Sequence, residues 1–324
     1  MNRRRFIATF AWGIALTPRV HGQPAQKSPV VGILHTAPAA RSTSMGIYIE
    51  GMRELGYVDG RNIVLAIRSA EGRPRALPAF AAELVRLDAR VIVAVGPVAV
   101  RAARDATSAI PIVGVDLESD PVEPGFVRTL ARPGGNVTGL FLDFPELAAK
   151  WLDLLREAAP AVRRVGILWD STTGTAQLAA VRAAAARFAI EPMVVEFRST
   201  DELDAAFKST TSAGVTGAVM LSSPIIAVKS SEIAAFTVKH RLAGISPFRQ
   251  FADAGGLLAY GPNLRDFYRR VPRYVDKILK GASPSDLPVE QPTTFDLVTN
   301  AKTAQALGLA LPNALVARAN AVIR

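Results

Sequence analysis

The chain has no cysteine in its 324 residues. A disulfide framework, a thiolate metal site and a cysteine nucleophile are therefore all excluded. Histidine is nearly as scarce: His21, His35 and His240 are the only three, and a histidine without a paired nucleophile is a poor basis for catalysis. The motifs that carry most hydrolytic and nucleotide chemistry are missing too. Walker A, H-E-x-x-H and G-x-S-x-G do not occur, so phosphate cradling, zinc hydrolysis and a nucleophile elbow have no support. The nearest approach to a dinucleotide fingerprint, Gly134-Gly135-Asn136-Val137-Thr138-Gly139, lacks the spacing and precedes a strand, which makes it a turn. No tract is of low complexity, and basic residues are scattered singly (Arg53, Arg61, Arg68, Arg73, Arg75, Arg86). A nucleic-acid binder would cluster them in a stripe with interleaved aromatics, so no nucleic-acid partner is expected.

What is present is a large apolar fraction. Hydrophobic side chains make up 49% of the chain, enough for a substantial core, and the length suggests two domains. The N-terminus reads as a signal peptide: Arg3-Arg4-Arg5, an apolar run from Phe6 to Leu16, then Val20 and Gly22 at the cleavage positions. The run is too short to span about 30 Å of hydrocarbon. Arg3-Arg4-Arg5-Phe6-Ile7 fits a twin-arginine signal, and an arginine-rich Sec signal remains the alternative. With no cysteine behind it, no lipid anchor is expected there. The expected product is a periplasmic, soluble monomer without membrane insertion. Losing residues 1–22 removes four arginines and no acid, which lowers the formal charge from +10 to +6.

Beyond the signal, Val- and Ile-rich runs alternate with amphipathic segments, the pattern of βαβ units on parallel sheets. Strands are expected at 30–34, 63–67, 91–95, 112–117 and 137–142, with Met45, Tyr48, Met52 and Leu55 on one helical face. A second round follows a helix over 145–158, with strands at 165–169, 193–197, 218–221 and 245–248. The tail breaks the alternation: a strand at 257–260, one long helix kinked at Pro272, a Ser-Pro-rich stretch, a strand at 295–298 and a final helix. Acids fall at strand ends, at Asp116, Glu118, Asp120, Asp143 and Asp170. Asp120 and Asp170 read best as helix N-caps. His240 lies near a helix C-terminus, where its charge favours the dipole.

Several segments together resemble the ABC transporter substrate-binding family related to tryptophan- and phenylalanine-binding periplasmic components. They are Arg4-Arg5-Phe6-Ile7, Val31-Gly32-Ile33-Leu34, the run from Gly51 to Asn62, Asp120-Pro121-Val122, the run from Ala131 to Gly139, and the run from Gln291 to Val298. The resemblance covers essentially the whole chain. It implies an α/β type I periplasmic-binding fold, with two doubly wound Rossmann-like lobes, three crossing segments and a ligand clamped between the lobes. On that reading residues 28–142 plus 257–283 form the first lobe and 143–256 plus 284–324 the second. The crossings fall near 141–146, 249–256 and 283–292. Many relatives carry Gly-Thr or Gly-Ser after the third strand, whereas Gly96-Pro97-Val98 here offers no hydroxyl.

Such a site needs helix N-terminal donors for an anionic group and apolar walls. Strand-end candidates on the first lobe are His35, Thr36, Ser42, Gly96, Pro97, Asp116 and Leu117; on the second they are Asp170, Thr172, Thr173, Ser222, Ser223 and Phe248. Phe141 and Tyr260 lie near crossings. A small zwitterion or carboxylate with an apolar body is the expected ligand, its ammonium held by Asp170 or Asp116, and a sugar is the competitor. No metal or cofactor is called for. The expected role is the non-catalytic solute-binding component of an ABC importer that presents its closed form to membrane permease subunits. Two alternatives are a periplasmic sensor subunit on the same fold and an exported sugar- or nucleotide-processing enzyme.

Overall fold

The computed structural model describes residues 28–36, 38, 43–117, 121–122, 125–142, 144–211 and 214–324. The expected signal peptide, Ser42, Glu118, Asp120 and Asp143 lie outside the described residues, as do the side chains of Asp116 and Leu117.

The first half of the chain alternates β1 (Val30–His35), α1 (Thr43–Glu54), β2 (Val64–Ser69), α2 (Leu77–Arg86), β3 (Val91–Val95), α3 (Pro97–Ala106), β4 (Ile112–Leu117) and β5 (Val137–Phe141). The strands form one all-parallel sheet in the order β2-β1-β3-β4-β5. Helices cover both faces of such a sheet, so its inner strands are largely apolar. Every residue of β3 is buried, and β2, at the edge, is exposed or half-buried and admits Arg68.

The second half repeats the scheme with α4 (Ala148–Ala158), β6 (Arg164–Asp170), α5 (Ala176–Arg187), β7 (Glu191–Phe197), α6 (Leu203–Thr211), β8 (Gly217–Met220), α7 (Pro224–Val228), α8 (Ser230–Lys239), β9 (Ala243–Ser246), α9 (Arg249–Asp253) and β10 (Leu258–Pro262). The order β7-β6-β8-β9-β10 reproduces that of the first sheet strand for strand. Two further strands extend this sheet: β11 (Phe295–Asn300), antiparallel to β10, and β12 (Ala321–Ile323), parallel to β11. Helices α12 (Ala301–Ala306) and α13 (Asn313–Arg318) lie between them in the chain.

The tail departs from the sequence reading in three ways. Residues 257–260 were expected to return to the first lobe, but β10 pairs with β9 and β11 and is the fifth strand of the second sheet. The second crossing therefore falls at Pro262–Asn263 rather than at 249–256, which form α9 and its exit turn. The chain then packs two helices against the first lobe, α10 (Leu264–Tyr268) and α11 (Val271–Leu279). These replace the single kinked helix: the chain turns at Arg269 and Arg270, and Pro272 sits in the first turn of α11, where no intrahelical donor is lost. Residues 284–290, expected in the second lobe, instead run beside the first sheet: the Thr138 hydroxyl donates to the Leu287 carbonyl at 2.6 Å and the Phe141 N–H to the Glu290 carbonyl at 2.9 Å. The third crossing follows at 291–294, ahead of β11, and the Asn263 N–H donates to the Thr294 carbonyl at 2.9 Å, tying it to the second. The first lies between β5 and α4, where Phe144 packs against Trp151 and Phe248.

Candidate functional site

In an open parallel sheet, ligands bind beyond the carboxyl ends of the strands, at the point where strand order reverses. Both sheets reverse at their first strand, which puts the switch points at the ends of β1 and β3 and of β6 and β8.

On the first lobe, His35 closes β1, and both it and Thr36 are buried. The Thr36 hydroxyl donates to the Val95 carbonyl at 3.4 Å. The carbonyls of His35 and Thr36 accept from the N–H groups of Ala70 and Gly72, each at 2.8 Å, which carries the β1–β2 pairing into the following loop. Gly96 precedes α3 with φ +89°, and Pro97 begins the helix without any side-chain cap. Behind this rim, a cavity of about 20 Å³, room for about one water, lies among Ile33, His35, Ser44, Met45, Tyr48, Val93, Val95, Val115, Tyr268 and Val271. The Tyr48 hydroxyl is buried there without a hydrogen-bond partner among the described residues, and burial holds it well above its ordinary pKa.

The second lobe carries the denser polar network. Asp170, the last residue of β6 and almost wholly buried, caps the turn over 171–173. Its Oδ1 accepts from the Thr172 N–H at 3.0 Å and the Thr172 hydroxyl at 2.6 Å, and its Oδ2 accepts from Ser223 Oγ at 2.7 Å. Burial pushes the Asp170 carboxyl above its usual range, while these hydrogen bonds pull it down. Ser223 in turn caps α7, accepting from the Ile225 N–H at 3.0 Å. Thr173 Oγ1 donates to the Asp170 carbonyl at 2.8 Å, and the Ser222 N–H donates to Gln177 Oε1 at 2.8 Å. Asp170, Thr172, Thr173, Ser222 and Ser223 thus form one connected wall.

The aromatic candidates are placed differently. Phe141 is buried in the core of the first lobe, and Phe248 is buried with its ring edge on Phe144. Tyr260 stacks on Phe295 at 6.4 Å, and its carbonyl accepts from Trp151 Nε1 at 2.7 Å. Each of the three makes packing contacts. Asp116 and Leu117 end β4, where the register with β5 shifts.

Among the described residues the lobes meet at Arg101, Gly96 and Gly72; Gly96 was a strand-end candidate, whereas Arg101 and Gly72 were not. Arg101, on α3, donates through Nη2 to the Thr172 carbonyl at 2.9 Å. A β-carbon placed on Gly96 would stand 2.8 Å from Pro224 Cγ, and one placed on Gly72 would stand 2.4 Å from Thr200 Cγ2. Glycine at these positions, both with positive φ, lets the two rims approach. Among the described residues no three His, Asp or Glu side chains converge as a metal site, and no helix is long and apolar enough to cross a membrane.

Two doubly wound sheets of matching order, joined by three crossings and facing one another through their strand ends, define a type I periplasmic-binding fold. Residues 30–323 match the family of ABC transporter substrate binding proteins, and the chain belongs to that family. A tyrosine-binding protein of Clostridioides difficile is 23% identical over 292 residues, covering 88% of this chain and 81% of the relative. A Streptococcus pneumoniae ABC domain solved in complex with L-Trp is 24% identical, with 91% of this chain and 100% of that one covered and a TM-score of 0.81. A substrate-binding protein of Clostridium difficile with adhesive properties, solved in a ligand-free, open form, is 20% identical over 91% of this chain and 99% of that one, with a TM-score of 0.59.

Proposed function

We propose that this chain is the exported, non-catalytic solute-binding component of an ABC-type importer, and that its lobes close on an amino acid with an apolar or aromatic body. The observation that carries this is the Asp170–Thr172–Ser223 wall, which meets α3 of the first lobe through Arg101, with Gly96 close to Pro224 beside it. Asp170 uses three of its roughly four acceptor positions within the wall, which leaves one for a ligand ammonium. Uncapped N–H groups at the start of α3 suit a carboxylate. The tyrosine-binding relative and the tryptophan complex support this ligand class. The closer overall fit to the tryptophan-bound relative than to the open one agrees with a closed arrangement here. Export rests on the leader over residues 1–22, and delivery to a permease rests on family membership.

Calorimetric titration of the purified protein with L-tyrosine, L-tryptophan, L-phenylalanine, aromatic carboxylates and monosaccharides tests the reading. Binding is expected for at least one amino acid. Binding to a neutral sugar with no affinity for any carboxylate would overturn the ligand class, and turnover of a bound solute would overturn the non-catalytic role.

A further inference from the structure

Arg101 stands outside the wall that would touch a ligand. It belongs to α3, one turn beyond the helix start, and reaches across to the main chain of the second lobe. Its acceptor, the Thr172 carbonyl, sits in the turn that Asp170 caps from below through both the N–H and the hydroxyl of the same residue. Thr172 is therefore held from two sides, by a buried carboxylate within its own lobe and by a guanidinium from the other. Hydrogen bonds from an ionised donor are roughly twice as strong as neutral ones. The turn gives a spectroscopic handle as well, because Trp169 Nε1 donates to the Gly174 carbonyl at its far end.

We propose that Arg101 is a positioning residue for closure: its bond to the Thr172 carbonyl holds the Asp170-capped turn against the first lobe and sets how long a captured ligand is retained. The inference deepens the proposed clamp and rests on that reading for its ligand arm. It adds a residue that governs the open-to-closed equilibrium through the turn. A ligand shifts such an equilibrium only by its differential affinity for the two states, so a contact that exists only when the lobes are together acts even without ligand.

The absence of native cysteine permits a direct test. Spin labels on Ala79→Cys (α2) and Ala183→Cys (α5), both at exposed positions, report the lobe separation by pulsed dipolar spectroscopy. Without ligand, Arg101→Met is expected to reduce the short-distance population relative to the long one by about tenfold. Arg101→Lys, which restores a cationic donor, should recover part of it. Unchanged thermal midpoints would separate this from misfolding, and Arg101→Gln replaces the methionine variant if that one does not fold. In the ligand arm, L-tyrosine release followed by Trp169 fluorescence should be about five- to tenfold faster in Arg101→Met, with little change in association rate. Superimposable distance distributions in wild type and Arg101→Met would overturn the proposal. If wild-type protein fails to bind L-tyrosine, that choice of ligand fails, and the distance measurement alone decides the role of Arg101.

Discussion

Asp170 shows how a strand-end acid comes to serve structure and site together. Its burial raises the carboxyl pKa, so the folded chain holds the proton more tightly than the unfolded chain does. The sign of the linkage follows. Stability from this group is fully present below the unfolded value of about 3.9 and is lost as pH rises through the higher folded value. Asp170→Asn should flatten that decline, because the amide keeps an acceptor for Thr172 and carries no charge to desolvate. Asp170→Ala should instead cost about 1–3 kcal/mol at neutral pH, since the Thr172 N–H and hydroxyl and Ser223 Oγ all lose their acceptor. Urea unfolding at a series of pH values measures both. An unchanged pH slope in the asparagine variant would show that the decline arises elsewhere. The capping role was legible in the sequence from Asp170 preceding Ser171. The partnership with Ser223 was not, because 53 residues separate the two and only the β6–β8 pairing brings them together.

At the level of elements, α1 and α11 pack through a glycine–proline contact that local propensity misjudges. Gly51 lies inside α1, where alanine would ordinarily gain about 0.5–1 kcal/mol. A β-carbon there would stand 2.8 Å from Pro272 Cγ, however, and the first turn of α11 is fixed by buried Val271, Tyr274 and Val275. Gly51→Ala is accordingly expected to destabilise by about 1–3 kcal/mol, and adding Pro272→Ala should return most of the loss. A stabilised single variant in urea denaturation would mean that the helices separate without cost. Most elements were readable in advance, because buried parallel strands such as Val91–Val95 and Val165–Trp169 are unbroken apolar runs. The sheet to which a strand belongs was less readable. Leu258–Pro262 carries no local mark of its partners; what places it is the repeat of strand order, in which the second sheet needs a fifth strand. The break between α10 and α11 was half visible: Pro272 signalled an interruption, and the turn falls at Arg269 and Arg270, just ahead of it.

For the whole molecule, the decisive contacts lie between lobes, where periodicity within one segment has nothing to report. Gly72 and Thr200 are 128 positions apart, in the segments that follow β2 and β7, the matching edge strands of the two sheets. Gly72 has φ +79°, and a side chain in that conformation costs about 1 kcal/mol whether the lobes are together or apart. The steric conflict of a new β-carbon with Thr200 Cγ2 at 2.4 Å arises only when they meet. The two effects therefore appear in different measurements. Gly72→Ala should lower the stability of the ligand-free protein by about 1 kcal/mol through the backbone, and should separately weaken ligand affinity by about tenfold by opposing closure. Adding Thr200→Ala removes Cγ2 and Oγ1 but leaves the backbone of residue 72 strained, so affinity should recover in part while stability does not. Calorimetry and thermal unfolding on the two single variants and the double variant complete the cycle. If the double variant regains stability instead of affinity, the Gly72–Thr200 contact belongs to folding, and closure is set by the remaining contacts at Gly96 and Arg101.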